Sequence, residues 1–198
     1  LYLAWMTSWK LILVGGACML VGFFYTAGPF PISRTPLGEL FAGFFLGTVL
    51  FLITLYVQDV PLTARNLVTT LPFLLLIAMI LSVNNGCDLV GDTASGRKTL
   101  SILLGSDKAF ALIAFEGLGA YLLSFLLVLL GFHPITLAFC LLPSFALFVK
   151  ALAGVKKAGL DAGHKSIHMQ FASKSYLHFC LAFFLAYVFN IGFSALAS

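Results

Sequence analysis

Six long apolar runs constrain this chain more than any other feature of its sequence. Each has about 17 to 23 residues, the length that an α-helix needs to cross the hydrocarbon core of a bilayer. The runs cover roughly residues 11–27, 37–57, 66–83, 109–131, 134–153 and 176–197. They predict an all-α integral membrane protein with six transmembrane helices. We expect these helices to form a single domain over residues 1–198.

The composition agrees with a membrane protein and argues against other classes. Only 9% of the residues are charged and 61% are hydrophobic, whereas soluble domains have about 25% charged residues. The net charge of +4 is too small to indicate binding to nucleic acid. The cysteines show no C-x-x-C spacing and lie mostly in apolar runs, which favours buried thiols over disulfides or zinc ligands. They are Cys18, Cys87, Cys140 and Cys180.

The Lys and Arg residues are distributed unequally between the two sides of the predicted bundle. Nine of the eleven fall on the side that receives the loops near 28–36, 84–108 and 154–175. The other side receives Lys10 and Arg65. By the positive-inside rule, the side with more positive charge is cytoplasmic. We therefore expect the polar 84–108 segment to face the cytoplasm.

The polar segment after the third run has the side chains of a metal site. Asn84, Asp88 and Asp92 are spaced i, i+4, i+8, so a helix continuing through them would align them on one face. Two unpaired carboxylates would repel each other there, which favours a metal site over a structural role. Mg²⁺ prefers such oxygen ligands together with substrate phosphates, and Arg97 and Lys98 would then hold phosphate oxygens. The alternative is a solvated helix end with ordinary charged residues.

Two sequence motifs resemble a known family. The pattern N-x-x-x-D-x-x-x-D at 84–92, followed by G-R-K-T-L at 96–100, resembles the second aspartate motif of the UbiA superfamily of intramembrane prenyltransferases. The segments 25–31 and 36–40 resemble the branch that prenylates 1,4-dihydroxy-2-naphthoate in menaquinone biosynthesis. The chain differs from many family members at Gly86-Cys87, where Tyr-Arg is common, and it lacks the first aspartate motif.

The resemblance implies an architecture for the chain. Family members have nine transmembrane helices, so the six runs would correspond to helices 4–9, the C-terminal two-thirds of the bundle. The first three helices and the first aspartate motif would be missing. One aspartate pair offsets only part of the charge on a departing diphosphate, so we expect the chain alone to be inactive. It would require an N-terminal segment of the same protein as a partner, within membrane lipid.

The resemblance also implies a reaction and roles for individual residues. A polyprenyl group would pass from an allylic polyprenyl diphosphate to an aromatic acceptor, with Mg²⁺ as cofactor. The enzyme would lie in a bacterial cell membrane with its active site facing the cytoplasm. Asp88 and Asp92 would be catalytic and, together with Asn84, would bind the metal. The residues that would bind the diphosphate are Tyr25, Asn85, Arg97 and Lys98.

Several alternatives stay open on the sequence alone. A non-enzymatic bundle, either a transporter or an assembly subunit, would also be apolar, although a transporter is expected to place polar features near mid-membrane. A related prenyltransferase with another acceptor is a further possibility. Gly43 and Gly47 form a G-x-x-x-G that indicates either close helix contact or chance spacing. Glu116 would be paired within the bundle or line the substrate cavity, and the 154–175 loop would contact lipid head groups or guide anionic substrates.

Overall fold

The computed structural model describes residues 1–196, with side chains up to residue 193, and it contains helices but no strand in that range. A 3₁₀ turn at Ile32–Arg34 precedes α3, and α3 includes a π-helical stretch at Gly43–Val49. The α-helices are α1 Tyr2–Met6, α2 Lys10–Thr26, α3 Gly38–Val57, α4 Ala64–Cys87, α5 Leu89–Ala94, α6 Leu100–Leu104, α7 Ser106–Leu129, α8 Ile135–Ala158 and α9 Lys165–Leu196. The predicted all-α class is confirmed, while the end of the predicted sixth run at 197 lies outside the described residues.

Within residues 1–196, five helices, not six, are long and apolar enough to cross a membrane: α3, α4, α7, α8 and α9. The first predicted run forms α2, which has 17 residues and is about 26 Å long at 1.5 Å per residue, compared with a hydrocarbon core of about 30 Å. It ends at Thr26 because Gly28, at φ +90°, and Pro29 turn the chain. The predicted count of six spans is therefore wrong, while the assignment of the runs to helices 4–9 of a nine-helix bundle stays a prediction.

The last helix also differs from its predicted bounds. α9 begins at Lys165, eleven residues before the predicted start at 176, and α8 continues to Ala158. The predicted 154–175 loop is consequently reduced to residues 159–164. Polar residues can extend a helix beyond the bilayer because its backbone groups remain paired along the helix. Hydropathy marks the apolar part of a helix and misses this extension.

α4 occupies the centre of the bundle and packs against α3, α7 and α9, while α8 packs mainly against α9 and α7. Its contact with α3 passes through the two glycines of the G-x-x-x-G. A Cβ atom added at Gly43 or Gly47 would lie 2.6 Å from backbone atoms of Leu74 in α4. The spacing therefore marks a close helix contact, which decides between the two alternatives.

Aromatic side chains fill the space between α4, α7, α8 and α9. Tyr121 stacks near Phe148 and Phe179, with ring centroids 5.2 Å apart in both cases. The buried Tyr121 hydroxyl also lies 2.8 Å from Oγ of Ser144 on α8, which satisfies its polar end. Large apolar side chains such as Phe115 and Phe139 project outward, as expected where lipid replaces water.

Candidate active site

The polar segment forms a bend between two helices at one end of α4. α4 ends at Cys87, Asp88 adopts φ −102° and ψ 15°, and α5 begins at Leu89. The backbone N–H of Asp92 still donates to the carbonyl oxygen of Asp88 at 2.8 Å, so the chain keeps a nearly helical path. The predicted continuous helix is thus interrupted at Asp88.

Asp92 forms an ion pair with Arg97, the cation that the sequence assigns to the diphosphate. Nη1 of Arg97 lies 2.9 Å from Oδ1 of Asp92, which is 8% exposed, and the second oxygen, Oδ2, is buried without a hydrogen-bond partner. Nη2 of Arg97 donates to the carbonyl oxygen of Ser33 at 2.8 Å. Arg97 therefore connects the aspartate segment to the loop before α3.

A second hydrogen bond joins the aspartate segment to the loop before α3. The backbone N–H of Lys98 donates to the carbonyl oxygen of Arg34 at 2.9 Å. The Lys98 side chain is exposed and forms no ion pair within residues 1–193. Its ammonium is consequently available to an anionic ligand.

Asp88 is paired with Lys165, the first residue of α9. The expectation of an unpaired carboxylate pair is therefore wrong, since Asp88 and Asp92 each face a cation. The sequence pattern missed this because Lys165 is 77 residues from Asp88. Helical spacing compares residues along one helix, and the cation comes from another.

Asn85 is buried and bonded within the bundle, away from the exposed surface of the segment. Its Nδ2 donates to Oε1 of Glu39 at 2.9 Å, and the two residues are 1% and 2% exposed. Asn84, by contrast, is partly exposed and makes a long 3.4 Å hydrogen bond from its amide to Oδ1 of Asn85. The Tyr25 hydroxyl donates to the carbonyl oxygen of Gly38, also at 3.4 Å, which places Tyr25 beside the start of α3.

The short connection between α8 and α9 packs against the same site. A Cβ at Gly86 would lie 3.1 Å from Cδ1 of Leu160, so the absence of a side chain at Gly86 allows the connection to pack closely against α4. Asp161 caps α9: Oδ1 accepts from the backbone N–H of His164 at 3.0 Å, and Oδ2 accepts from its Nδ1 at 2.7 Å. These hydrogen bonds hold the pKa of the Asp161 carboxyl below its ordinary value.

The sequence model of the UbiA prenyltransferase family matches residues 1–174. The chain belongs to this family. It is also 38% identical over 130 residues to the 1,4-dihydroxy-2-naphthoate octaprenyltransferase of Bacillus subtilis (strain 168). The aligned part is 66% of this chain and 42% of the Bacillus protein, so the chain spans less than half of that relative. No solved structure matches the chain.

The resemblance inferred from the two motifs is confirmed at the level of the UbiA family. The match extends through Lys165 and beyond the part that the motifs themselves cover. The prediction that activity requires a segment preceding Leu1 stays a prediction.

The donor set of this UbiA chain fits a hard divalent cation, although residues 1–196 contain no group of three or more His, Cys, Asp or Glu side chains arranged for a metal. Asp88 and Asp92 provide carboxylate oxygens and Asn84 an amide oxygen, and Mg²⁺ is commonly held by one or two carboxylates. The buried, unpartnered Oδ2 of Asp92 is an acceptor that a cation would satisfy.

Three charged residues near the site have surroundings that the sequence did not predict. Glu39 lies in the 36–40 segment, to which the resemblance assigns no chemical role, yet its buried carboxylate joins α3 to Asn85 of α4. Its position at the start of an apolar run was the available signal. Lys165 gave no such signal. Glu116 is buried in α7 and forms no ion pair within the described side chains, and both of its alternatives stay open.

Proposed function

We propose that this protein transfers a polyprenyl group from an allylic polyprenyl diphosphate to an aromatic acceptor, and that the acceptor is 1,4-dihydroxy-2-naphthoate in menaquinone biosynthesis. Membership of the UbiA family supports prenyl transfer, and the name of the Bacillus relative supports this acceptor. The observation that carries the proposal is the location of Asp88, Asp92, Arg97 and Lys98 in one segment at the end of an apolar bundle. That location suits a charged headgroup at the membrane surface and an apolar tail within the bilayer.

The residues of the segment have complementary roles in this reaction. Breaking the allylic C–O bond concentrates negative charge on the departing diphosphate, and preorganised cations stabilise that charge. Lys98 is exposed and unpaired within the described part of the chain, so it can bind phosphate oxygens directly. Arg97 presents a guanidinium that Asp92 and Ser33 hold in place. Asp88, Asp92 and Asn84 would hold Mg²⁺, which when bound supplies Lewis-acid stabilisation of the diphosphate.

An apolar groove begins beside this segment and supports binding of a prenyl tail. The cavity between α2 and α3 has a volume of about 330 Å³. Tyr25 and Phe41 line one end, and Gly15 and Ile53 line the part farther along the helices. A chain of isoprene units can bury its apolar surface there while its headgroup stays near Tyr25.

We also propose that the site faces the cytoplasm of a bacterial cell. With five spans, the segments around 28–36, 88–105 and 159–164 still share one side of the membrane, because α3, α4, α7, α8 and α9 alternate in direction. Together with the helix ends that adjoin them, these segments carry nine of the eleven Lys and Arg residues. A soluble acceptor and a diphosphate headgroup would reach the enzyme from that side.

Replacing each aspartate with asparagine tests the proposed site. We expect Asp88→Asn and Asp92→Asn to reduce prenyl transfer by about 100-fold or more at limiting Mg²⁺, because each removes a charge that stabilises the leaving group. Asp59→Asn is the matched control: Asp59 is exposed at the other end of α3, and its φ of +57° also suits asparagine. Turnover near the native level in either site variant would contradict the metal-binding role.

A related prenyltransferase with another acceptor is the second candidate, since the family alone does not specify the acceptor. Purified protein supplied with a polyprenyl diphosphate, Mg²⁺ and either dihydroxynaphthoate or a hydroxybenzoate separates the two. We expect a demethylmenaquinone from the naphthoate, after loss of its carboxylate as CO₂, and little product from the benzoate. Preferential prenylation of the benzoate would contradict the proposed acceptor.

A further inference from the structure

Lys165 reaches the aspartate segment from a different part of the chain. Its ammonium pairs with Oδ2 of Asp88 across 77 residues of sequence. The two side chains are 33% and 28% exposed, so the pair lies at the water-accessible edge of the site. Lys165 also begins α9, where the helix dipole adds positive potential. The ion pair between Asp88 and Lys165 is therefore accessible to a ligand that enters from the water.

The backbone before Lys165 is held against the bundle. Gly159 ends α8 at φ +81°, and its carbonyl oxygen accepts from Nε2 of His168 at 2.8 Å. Because His168 is buried, this hydrogen bond holds the connection against the interior of the bundle. Leu160 packs beside Gly86 of α4. These contacts fix the connection against the bundle, so the fold itself positions Lys165 beside Asp88.

The two cations that are paired with the aspartates differ in their freedom to move. Arg97 is held by Asp92 and by the carbonyl of Ser33, and its backbone N–H donates to the carbonyl of Asp92 at 3.0 Å. The Lys165 ammonium has Asp88 as its one hydrogen-bond acceptor among the described residues. A lysine also carries its charge on a flexible four-carbon stem with rotatable donors. Lys165 can therefore leave its carboxylate by losing one hydrogen bond, whereas Arg97 would also lose its bond to the carbonyl oxygen of Ser33.

We infer that Lys165 is an exchangeable cation that neutralises Asp88 in the empty site and binds the substrate's diphosphate when Asp88 ligates a metal ion. The inference rests on the proposed function and adds to it a residue outside both sequence motifs. In the empty site the ion pair offsets the repulsion between Asp88 and Asp92. On substrate binding, the ammonium and the carboxylate each exchange one partner of opposite charge for another. Asp88 and Lys165 therefore each have a partner of opposite charge in both states.

Mn²⁺ binding without substrate tests the first half of the inference. The protein would be held in lipid nanodiscs, and free Mn²⁺ measured by electron paramagnetic resonance. We expect Lys165→Met to bind Mn²⁺ about three- to fivefold more tightly than the native protein. The variant lacks the ammonium that competes with Mn²⁺ for Asp88, and the size of the effect follows from the modest strength of a partly exposed ion pair. Lys165→Arg retains the charge and is expected to bind as the native protein does. Lys108→Met is the control, because Lys108 is exposed and has no ion-pair partner among residues 1–193.

Binding of inorganic diphosphate at saturating Mn²⁺ tests the second half. We expect Lys165→Met to weaken it about three- to tenfold, as loss of one charge-assisted contact predicts, and Lys108→Met to leave it unchanged. Lys165→Gln serves as a second neutral variant if thermal unfolding shows that the methionine variant is misfolded.

The outcomes separate this inference from the proposed function. Native-like Mn²⁺ or diphosphate binding by the neutral Lys165 variants, or native protein that binds no Mn²⁺, overturns the exchange. Failure of the complete enzyme, including any segment that precedes Leu1, to prenylate any aromatic acceptor overturns the proposed function, whatever the binding measurements show. Tighter Mn²⁺ binding together with weaker diphosphate binding supports the exchange.

Discussion

Gly47 lies at a close contact between α3 and α4, and its replacement by alanine tests how the bundle supports the site. A Cβ at this position would lie 2.6 Å from N and Cα of Leu74 and 2.8 Å from the carbonyl carbon of Phe73. These are backbone atoms, so rotation of a side chain cannot relieve the overlap. Ordinary contact begins at 3.4 Å, so the helices must separate by about 0.8 Å.

We expect Gly47→Ala to lower the free energy of unfolding by about 1–3 kcal/mol, the usual cost of an added methyl group in a packed interior. For a chain of this size that corresponds to roughly 2–12 °C in the unfolding midpoint. The separation also acts on the site, because Glu39 begins α3 about two turns before Gly47. Its 2.9 Å hydrogen bond with Asn85 on α4 would lengthen, and prenyl transfer is expected to fall while the protein is still folded.

Thermal unfolding of the purified protein in detergent, with prenyl transfer measured well below the midpoint, provides the assay. Gly154→Ala on α8 is the matched control, because no atom lies within 4 Å of the added Cβ. Alanine is the better helix former, so the control is expected to be unchanged or stabilised by at most about 1 kcal/mol. Equal midpoints for the two variants would refute the idea that α3 and α4 are too close to admit a side chain.

Three further predictions concern orientation, a buried hydrogen bond and pH. Cysteines introduced at Lys98 and Lys157 are expected to react only from the cytoplasmic side, and labelling from outside intact cells would reverse the orientation. Glu39→Gln keeps an acceptor for Asn85, whereas Glu39→Ala leaves a buried amide unpaired and is expected to cost about 1–3 kcal/mol of stability; equal losses would show that the carboxylate charge matters instead. Burial lowers the pKa of His133 from 6.5 to about 4, so the unfolded chain binds the proton more tightly and stability falls as pH decreases from about 6.5 towards about 4. His133→Gln is expected to flatten this dependence in thermal unfolding, and an unchanged slope would exclude His133 as its cause.

The helices predicted from hydropathy are largely those of the structure. The bounds of the runs at 37–57, 66–83, 109–131 and 134–153 lie within five residues of those of α3, α4, α7 and α8. Hydropathy succeeds here because the length of an apolar run is a local property. The run at 11–27 also matches α2, although this helix is too short to count as a span, and hydropathy missed the start of α9, whose first turns are polar.

The chemistry of the site was only partly predictable. Spacing identified the segment with Asp88, Asp92, Arg97 and Lys98, because these residues are close in sequence. It did not predict that both aspartates are paired. Asp92 pairs with Arg97 of the same segment, which the resemblance assigned to the diphosphate, and Asp88 pairs with Lys165, which approaches from α9. Lys165 begins α9 and Glu39 begins α3, so neither has a sequence relation to the aspartates that a motif could express.

The sequence by itself determined that the chain is helical, approximately where its long helices run and which segment concentrates its acids. Only the tertiary structure decided that Asp88 meets Lys165, that Asn85 meets Glu39 and that Gly47 contacts Leu74. The physical reason is that these helices are apolar on nearly every face. A soluble helix marks its inward side by an apolar stripe, but lipid and protein interior are both apolar, so packing and a few polar contacts determine how each helix is rotated.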